Sequence, residues 1–154
     1  MTLSFLASFL TLFGCESCQD KKPDKVEKVK VTLVVILASE EGDFVDKRLK
    51  AIAEEVQKLN PQLKSFHLKS MTNKSLTPEE KASFSLVDDK SAVVIVKHGA
   101  DSENRVGVAV TAPNQGEIEY RTVCGKFLPI VTRYQTKGKE RLILAIRVQP
   151  CQGE

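Results

Sequence analysis

The chemistry available to this chain rests on a few residues: four cysteines, two histidines and several acidic pairs. The cysteines fall into two groups, Cys15 with Cys18 and Cys124 with Cys151. An isolated pair reads first as a disulfide in an oxidising compartment, and Cys124–Cys151 is the expected bond. It would close a loop of roughly 27 residues and contribute about 3–4 kcal/mol through chain entropy. A metal site and a redox pair are the other readings of two cysteines. Zinc would require a second C-x-x-C or a histidine pair, and the sequence has neither. Cys15-Glu16-Ser17-Cys18 has the C-x-x-C spacing, but it does not sit where a strand enters a helix, so a thioredoxin-like reaction is not expected.

The other reactive types are scattered. His67 falls in a segment of strand character and His98 in a turn, far apart in sequence. The pairs Glu40-Glu41, Glu79-Glu80 and Asp88-Asp89 flank turns or helix starts, where solvation and the helix dipole account for them. Asp101-Ser102-Glu103-Asn104 is too short for a calcium loop. Lys137-Gly138-Lys139 lacks the glycine-rich turn of a phosphate loop, and no G-x-S-x-G is present. No catalytic residue, no metal ligand and no cofactor site is therefore assigned, and the expectation is a protein that is not an enzyme. The net charge of +3, lysines that do not cluster and the absence of tryptophan argue against a nucleic-acid surface.

Residues 1–14 have a different character. Leu3, Phe5, Leu6, Ala7, Phe9, Leu10, Leu12 and Phe13 form an uncharged apolar run of about eleven residues, against the twenty or so of a membrane span. Leu12-Phe13-Gly14-Cys15 resembles the lipobox of bacterial lipoproteins. That resemblance implies a signal peptide over residues 1–14, removed so that Cys15 becomes the N-terminus. Cys15 would then carry diacylglycerol and an amide-linked acyl chain such as palmitate. Several acyl chains anchor stably where one does not. Glu16 after the cysteine resembles an outer-membrane address. A plain secretory signal cleaved nearby, or an apolar segment packed into the core, are the alternatives. Residues 15–30 (including QDKKPDKVEKVK) are charged and poor in large apolar groups, and read as a solvated tether.

Residues 31–151 read as one domain, with residues 152–154 as a tail. Val31 to Ala38 is a continuous, largely β-branched run, expected as a central strand covered on both faces. Gly42-Asp43 predicts the opening of a helix, with Asp43 as N-cap and Val45, Leu49, Ile52, Val56 and Leu59 as its apolar stripe, ended by Asn60-Pro61. Strands are then expected over residues 63–70, 83–87, 92–97, 105–111, 117–123, 127–133 and 141–148, separated by turn residues. The predicted fold class is α+β: one amphipathic helix on a largely antiparallel sheet or partial sandwich.

Val123-Cys124-Gly125-Lys126-Phe127-Leu128-Pro129-Ile130-Val131-Thr132-Arg133-Tyr134 is the most unusual local run. It reads as an edge or bulged strand. Phe127, Leu128, Arg133 and Tyr134 are its candidate interface residues, since aromatic and arginine side chains are the usual anchors. The competing reading is a core strand stapled by the disulfide. Val35 to Ser39, the single helix and the Cys124–Cys151 segment together resemble a family of small exported proteins of planctomycete-type bacteria, for which no activity is implied. Pro129-Ile130-Val131 with Arg141 to Val148 is similar, over a short stretch, to the closing hairpin of secretin-type envelope proteins. The functional expectation is a non-catalytic interaction or structural module held in the cell envelope by a lipid anchor, with an envelope protein as partner. The alternatives are a secreted inhibitor or ligand-binding domain of cystatin-like architecture, and an enzyme whose site the sequence hides.

Overall fold

The computed structural model describes residues 27–151. The signal segment 1–14, Cys15, Cys18, most of the tether and the tail 152–154 lie outside them. The order is one strand, one helix and seven strands: β1 (Val29–Ser39), α1 (Lys50–Leu59) led in by a 3-10 turn at Lys47–Leu49, β2 (Ser65–Leu76), β3 (Lys81–Ser85), β4 (Ser91–His98), β5 (Arg105–Thr111), β6 (Glu117–Val123), β7 (Leu128–Gln135) and β8 (Arg141–Gln149). The strands form two antiparallel four-stranded sheets, β2-β1-β8-β7 and β3-β4-β5-β6. The fold is α+β, as expected.

The alternation of β1 decides the layering. Val31, Leu33, Val35 and Leu37 point into the core between the two sheets, where they meet Phe84, Val94, Val108 and Leu144. Val34, Ile36 and Ala38 point the other way and pack with Ile52, Ala53 and Val56 of α1. The continuous apolar run of β1 is thus a strand buried on both faces, each buried branched side chain contributing about 1.5–3 kcal/mol. A ten-residue helix is marginal alone, so this packing rather than propensity holds α1.

The helix begins later than the sequence predicts. Phe66 N–H donates to the Phe44 carbonyl (2.7 Å), and Asp46 N–H donates to the Phe66 carbonyl (3.1 Å). Residues 44–46 are thereby committed to the edge of β2, where Val45 bridges Phe66 in parallel. Asp46, not Asp43, is the capping aspartate, and it caps the 3-10 turn: its carboxylate accepts from Arg48 N–H at 2.9 Å, whereas Leu49, at the N-cap of α1 itself, supplies no side-chain cap. Val45 is not helical, and Leu59, the last member of the predicted stripe, is 87% exposed because the buried face runs through Leu49, Ile52, Ala53 and Val56.

β2 runs further than expected, to Leu76, following β1 back to its first residue with a bulge at Lys69. β3 starts and ends two residues earlier than expected, because Asp88 and Asp89, both at positive φ, make the tight turn from Val87 to Lys90. This is the geometry of a primed hairpin turn, and Asp is among the residues that tolerate it.

Candidate functional site

β1 has two ends, and they differ in what they carry. At its start Lys30 pairs with Gln149 of β8, and Gly125 N–H donates to the Val148 carbonyl at 3.0 Å. Cys124 and Cys151 meet there at disulfide distance, with Cα atoms 5.5 Å apart. The cysteine pairing expected from the sequence is present. It ties the end of β6 to the end of β8, beside the point where the chain enters the fold.

At the far end of β1 an open groove of about 1000 Å³ is bounded by three elements. The first is the loop that leaves β1 at Ser39. Gly42, at φ +77°, turns this loop back over Ser65, and a non-glycine residue would be strained there. Ser39 and Ser65 hydroxyls lie 2.8 Å apart, and both reach the Glu41 carbonyl. Those hydroxyls are spent on holding the loop. The second element is the turn after α1, with Asn60, Gln62 and Leu63; Gln57 fixes it by donating to the Leu63 carbonyl at 3.0 Å. The third is the β7–β8 hairpin. There Thr132 Oγ1 donates to the Leu142 carbonyl at 2.8 Å, and Arg141 donates to the Thr132 carbonyl at 3.3 Å.

The groove carries charge of opposite sign on its walls. Glu40, Glu41 and Asp43 line the loop side, and Arg133, Lys139 and Arg141, with Glu140 among them, the hairpin side, so that the hairpin wall is net positive. Phe44 stands at the rim, 55% exposed, its ring stacked on His67 at 4.8 Å and 18°. An exposed flat ring held by a second ring is a preorganised apolar anchor. The groove therefore suits a polypeptide segment offering an apolar side chain between charged ones. Nothing in the sequence pattern marks this site: Phe44 reads as part of a helix start and His67 as an isolated strand residue. Only their juxtaposition across the loop and β2 reveals it.

The candidate interface residues, on β7 and just before it, are divided between the two layers. Phe127 lies on the helix-side face, half-buried beside Val131, with the Arg147 guanidinium 4.7 Å above its ring. Leu128 and Tyr134 pack against the core between the sheets. The Tyr134 hydroxyl donates to the Asp88 carboxylate at 2.7 Å, which together with partial burial raises the phenol pKa. Arg133 is exposed and lines the groove. The four side chains do not make one patch. β7 is an edge strand carrying Pro129, as the composition suggests.

His98 ends β4 rather than sitting in a turn. Its Nδ1–H donates to the Gly99 carbonyl at 2.8 Å, and its ring covers Gly107. Asp101 accepts from the N–H groups of Arg105 and Glu103, both at 2.9 Å; the Arg105 bond above all lowers its pKa, and the two together fold the β4–β5 loop tightly. Among the described residues no group of three or more His, Cys, Asp or Glu is placed to hold a metal ion, and no helix is long and apolar enough to cross a membrane. No family model matches the chain, and neither the curated proteins nor the solved structures contain a match to it.

Proposed function

We propose that the protein is a non-catalytic interaction module, tethered to the cell envelope through Cys15, that holds an envelope partner in the groove beneath Phe44. The supporting observation is the polarity of the domain. The chain enters at Val29 beside the Cys124–Cys151 pair, and the groove lies past Ser39 at the opposite end of the eleven-residue β1. At about 3.3 Å per residue this separates anchor side from groove by roughly 30 Å. A domain tied down at one pole thus presents its exposed aromatic and its charged walls at the other. The lipobox-like Leu12-Phe13-Gly14-Cys15 and the charged residues that follow supply the tether in this reading.

The test places a photo-crosslinking residue at Phe44 in the full chain expressed in a bacterial envelope. A control carries it at Ser75, which is exposed near the entry pole. A discrete protein adduct from position 44 and none from position 75 is expected. Cys15→Ser should move the chain from the detergent phase to the aqueous phase of a phase partition. Equal adducts from both positions would end the groove assignment, and unchanged partition of Cys15→Ser would end the anchor.

A further inference from the structure

A four-stranded sheet has two edges, and a free edge offers unpaired N–H and C=O groups to any strand that fits. Three of the four edges here are blunted. β3 is only five residues long and begins with Lys81. β2 carries the bulge at Lys69 and is partly covered by Val45. β7 contains Pro129 and loses register with β8 between Val131 and Gln135. The fourth edge, β6, has none of these features. Glu117 to Val123 matches Arg105 to Thr111 residue for residue, with no shift, and among the described residues β6 pairs on that side only.

The direction of the free backbone groups follows from one hydrogen bond. Cys124 N–H donates to the Asn104 carbonyl at 2.7 Å, continuing the β5–β6 ladder. By the alternation of a strand, Ile118, Tyr120 and Thr122 turn their backbone groups toward β5, and Glu117, Glu119, Arg121 and Val123 turn theirs outward. The outward-turning residues are all exposed, and on the inner face Ile118 at this edge is 42% exposed.

We propose that β6 pairs antiparallel with β6 of a second copy, about a two-fold axis through Tyr120, joining two four-stranded sheets into one of eight. The sequence Glu117-Ile118-Glu119-Tyr120-Arg121-Thr122-Val123 is complementary to its own reverse. Pairing about Tyr120 sets Glu119 opposite Arg121 twice, Ile118 opposite Thr122 twice and Glu117 opposite Val123 twice. Charge on a free edge ordinarily repels a second strand. Here the reversal turns it into two cross-strand attractions. A two-fold axis normal to the sheet must pass through a residue pair, because any half-step would place a side chain on the wrong face. Centring on Glu119 would oppose like carboxylates, on Arg121 like guanidiniums, and on Ile118 would set Glu117 against Glu119, while centring on Thr122 forgoes both Glu–Arg pairs, so charge selects Tyr120. Glu119 and Arg121 then form the hydrogen-bonded pairs, and the two tyrosines meet in the closer, non-hydrogen-bonded position. The existing approach of Lys97 Nζ to Glu119, at 3.9 Å, lies at the outer limit of an ion pair and does not compete strongly. The interface is an isologous one.

The experiment is sedimentation equilibrium of the full chain over a concentration series in density-matched detergent, with Glu119→Arg, Arg121→Glu and the combined swap. The wild type is expected to dimerise. Each single reversal opposes like charges twice and should weaken the dimer about tenfold or more. The combined swap restores opposite charges and should recover most of the affinity. Hydrogen exchange on the wild type gives a reading without variants: the amides of Glu119 and Arg121 should be protected in a concentration-dependent way. A wild type that stays monomeric, a combined swap no better than the single reversals, or edge amides that exchange equally fast at all concentrations would each overturn the proposal. None of these outcomes bears on the groove beneath Phe44, which lies on other strands.

Discussion

Removing the Cys124–Cys151 link should cost the domain about 3.5 kcal/mol. The two residues are 27 apart in sequence, and the loop they close contains β7, β8 and the turn between them. With the chain-entropy relation, a loop of that length restricts the unfolded ensemble by about 12 cal/mol/K, or about 3.5 kcal/mol at 25 °C. In the folded state the same ends are already held by the backbone bond from Gly125 to the Val148 carbonyl. The native fold should therefore persist without the link, and the effect should appear in the unfolded state. Cys124→Ser with Cys151→Ser is the suitable perturbation. The Cys124 sulfur lies 3.1 Å from the Val148 carbonyl, and a serine hydroxyl keeps a polar group facing it. Urea unfolding followed by far-UV circular dichroism should show a midpoint lowered by about 1.5–3 M, with the native spectrum retained. A loss below about 1 kcal/mol would refute the reasoning, because the loop would then not be constraining the unfolded chain. Collapse of the native spectrum would refute it differently, by showing that the link shapes the native state.

Phe44→Lys should abolish capture of the proposed partner while leaving the melting temperature within about a degree, since the ring is more than half exposed; co-purification and calorimetry decide it. Asp46→Asn should lower the melting temperature at neutral pH through loss of the Arg48 interactions. Hydrogen bonds from the Arg48 side chain and backbone hold the Asp46 carboxyl at about 2, below its ordinary 3.8. A depressed carboxylate pKa stabilises above the unfolded value and is lost as pH falls through the folded one. The gap between wild type and Asp46→Asn should thus close between pH 4 and pH 2, and a gap constant across that window would exclude the cap. Gly107→Ala should destabilise, because a Cβ there would stand 2.6 Å from His98 Nε2. His98→Ala should absorb most of that cost, and a double-mutant cycle showing simple additivity would contradict the packing.

Strand and helix identity were legible in the sequence because they follow from local periodicity. The double-sided run of β1, the apolar 3.6-residue stripe of α1 and the turn residues between later strands each report the burial of their own neighbourhood. The cysteine pairing was legible for a related reason: two cysteines at strand ends leave few alternatives. The misplaced helix start shows the limit. Asp43 and Asp46 are equally good caps by type, and the choice was made by Phe66, twenty residues on, whose backbone takes up Phe44 and Asp46.

Which faces meet is a tertiary matter. Periodicity says that this segment has two faces but not that Phe127 turns to the helix layer, Leu128 and Tyr134 to the core between sheets and Arg133 to the groove, so the four candidates fall into three separate environments. The groove depends on the loop after β1, the turn after α1 and the β7–β8 hairpin arriving at one pole, from positions nearly a hundred residues apart. The free edge of β6 likewise exists only once the sheet order is set. A sequence specifies local preference by composition and spacing. Long-range packing decides which of those preferences is satisfied and which is left facing solvent.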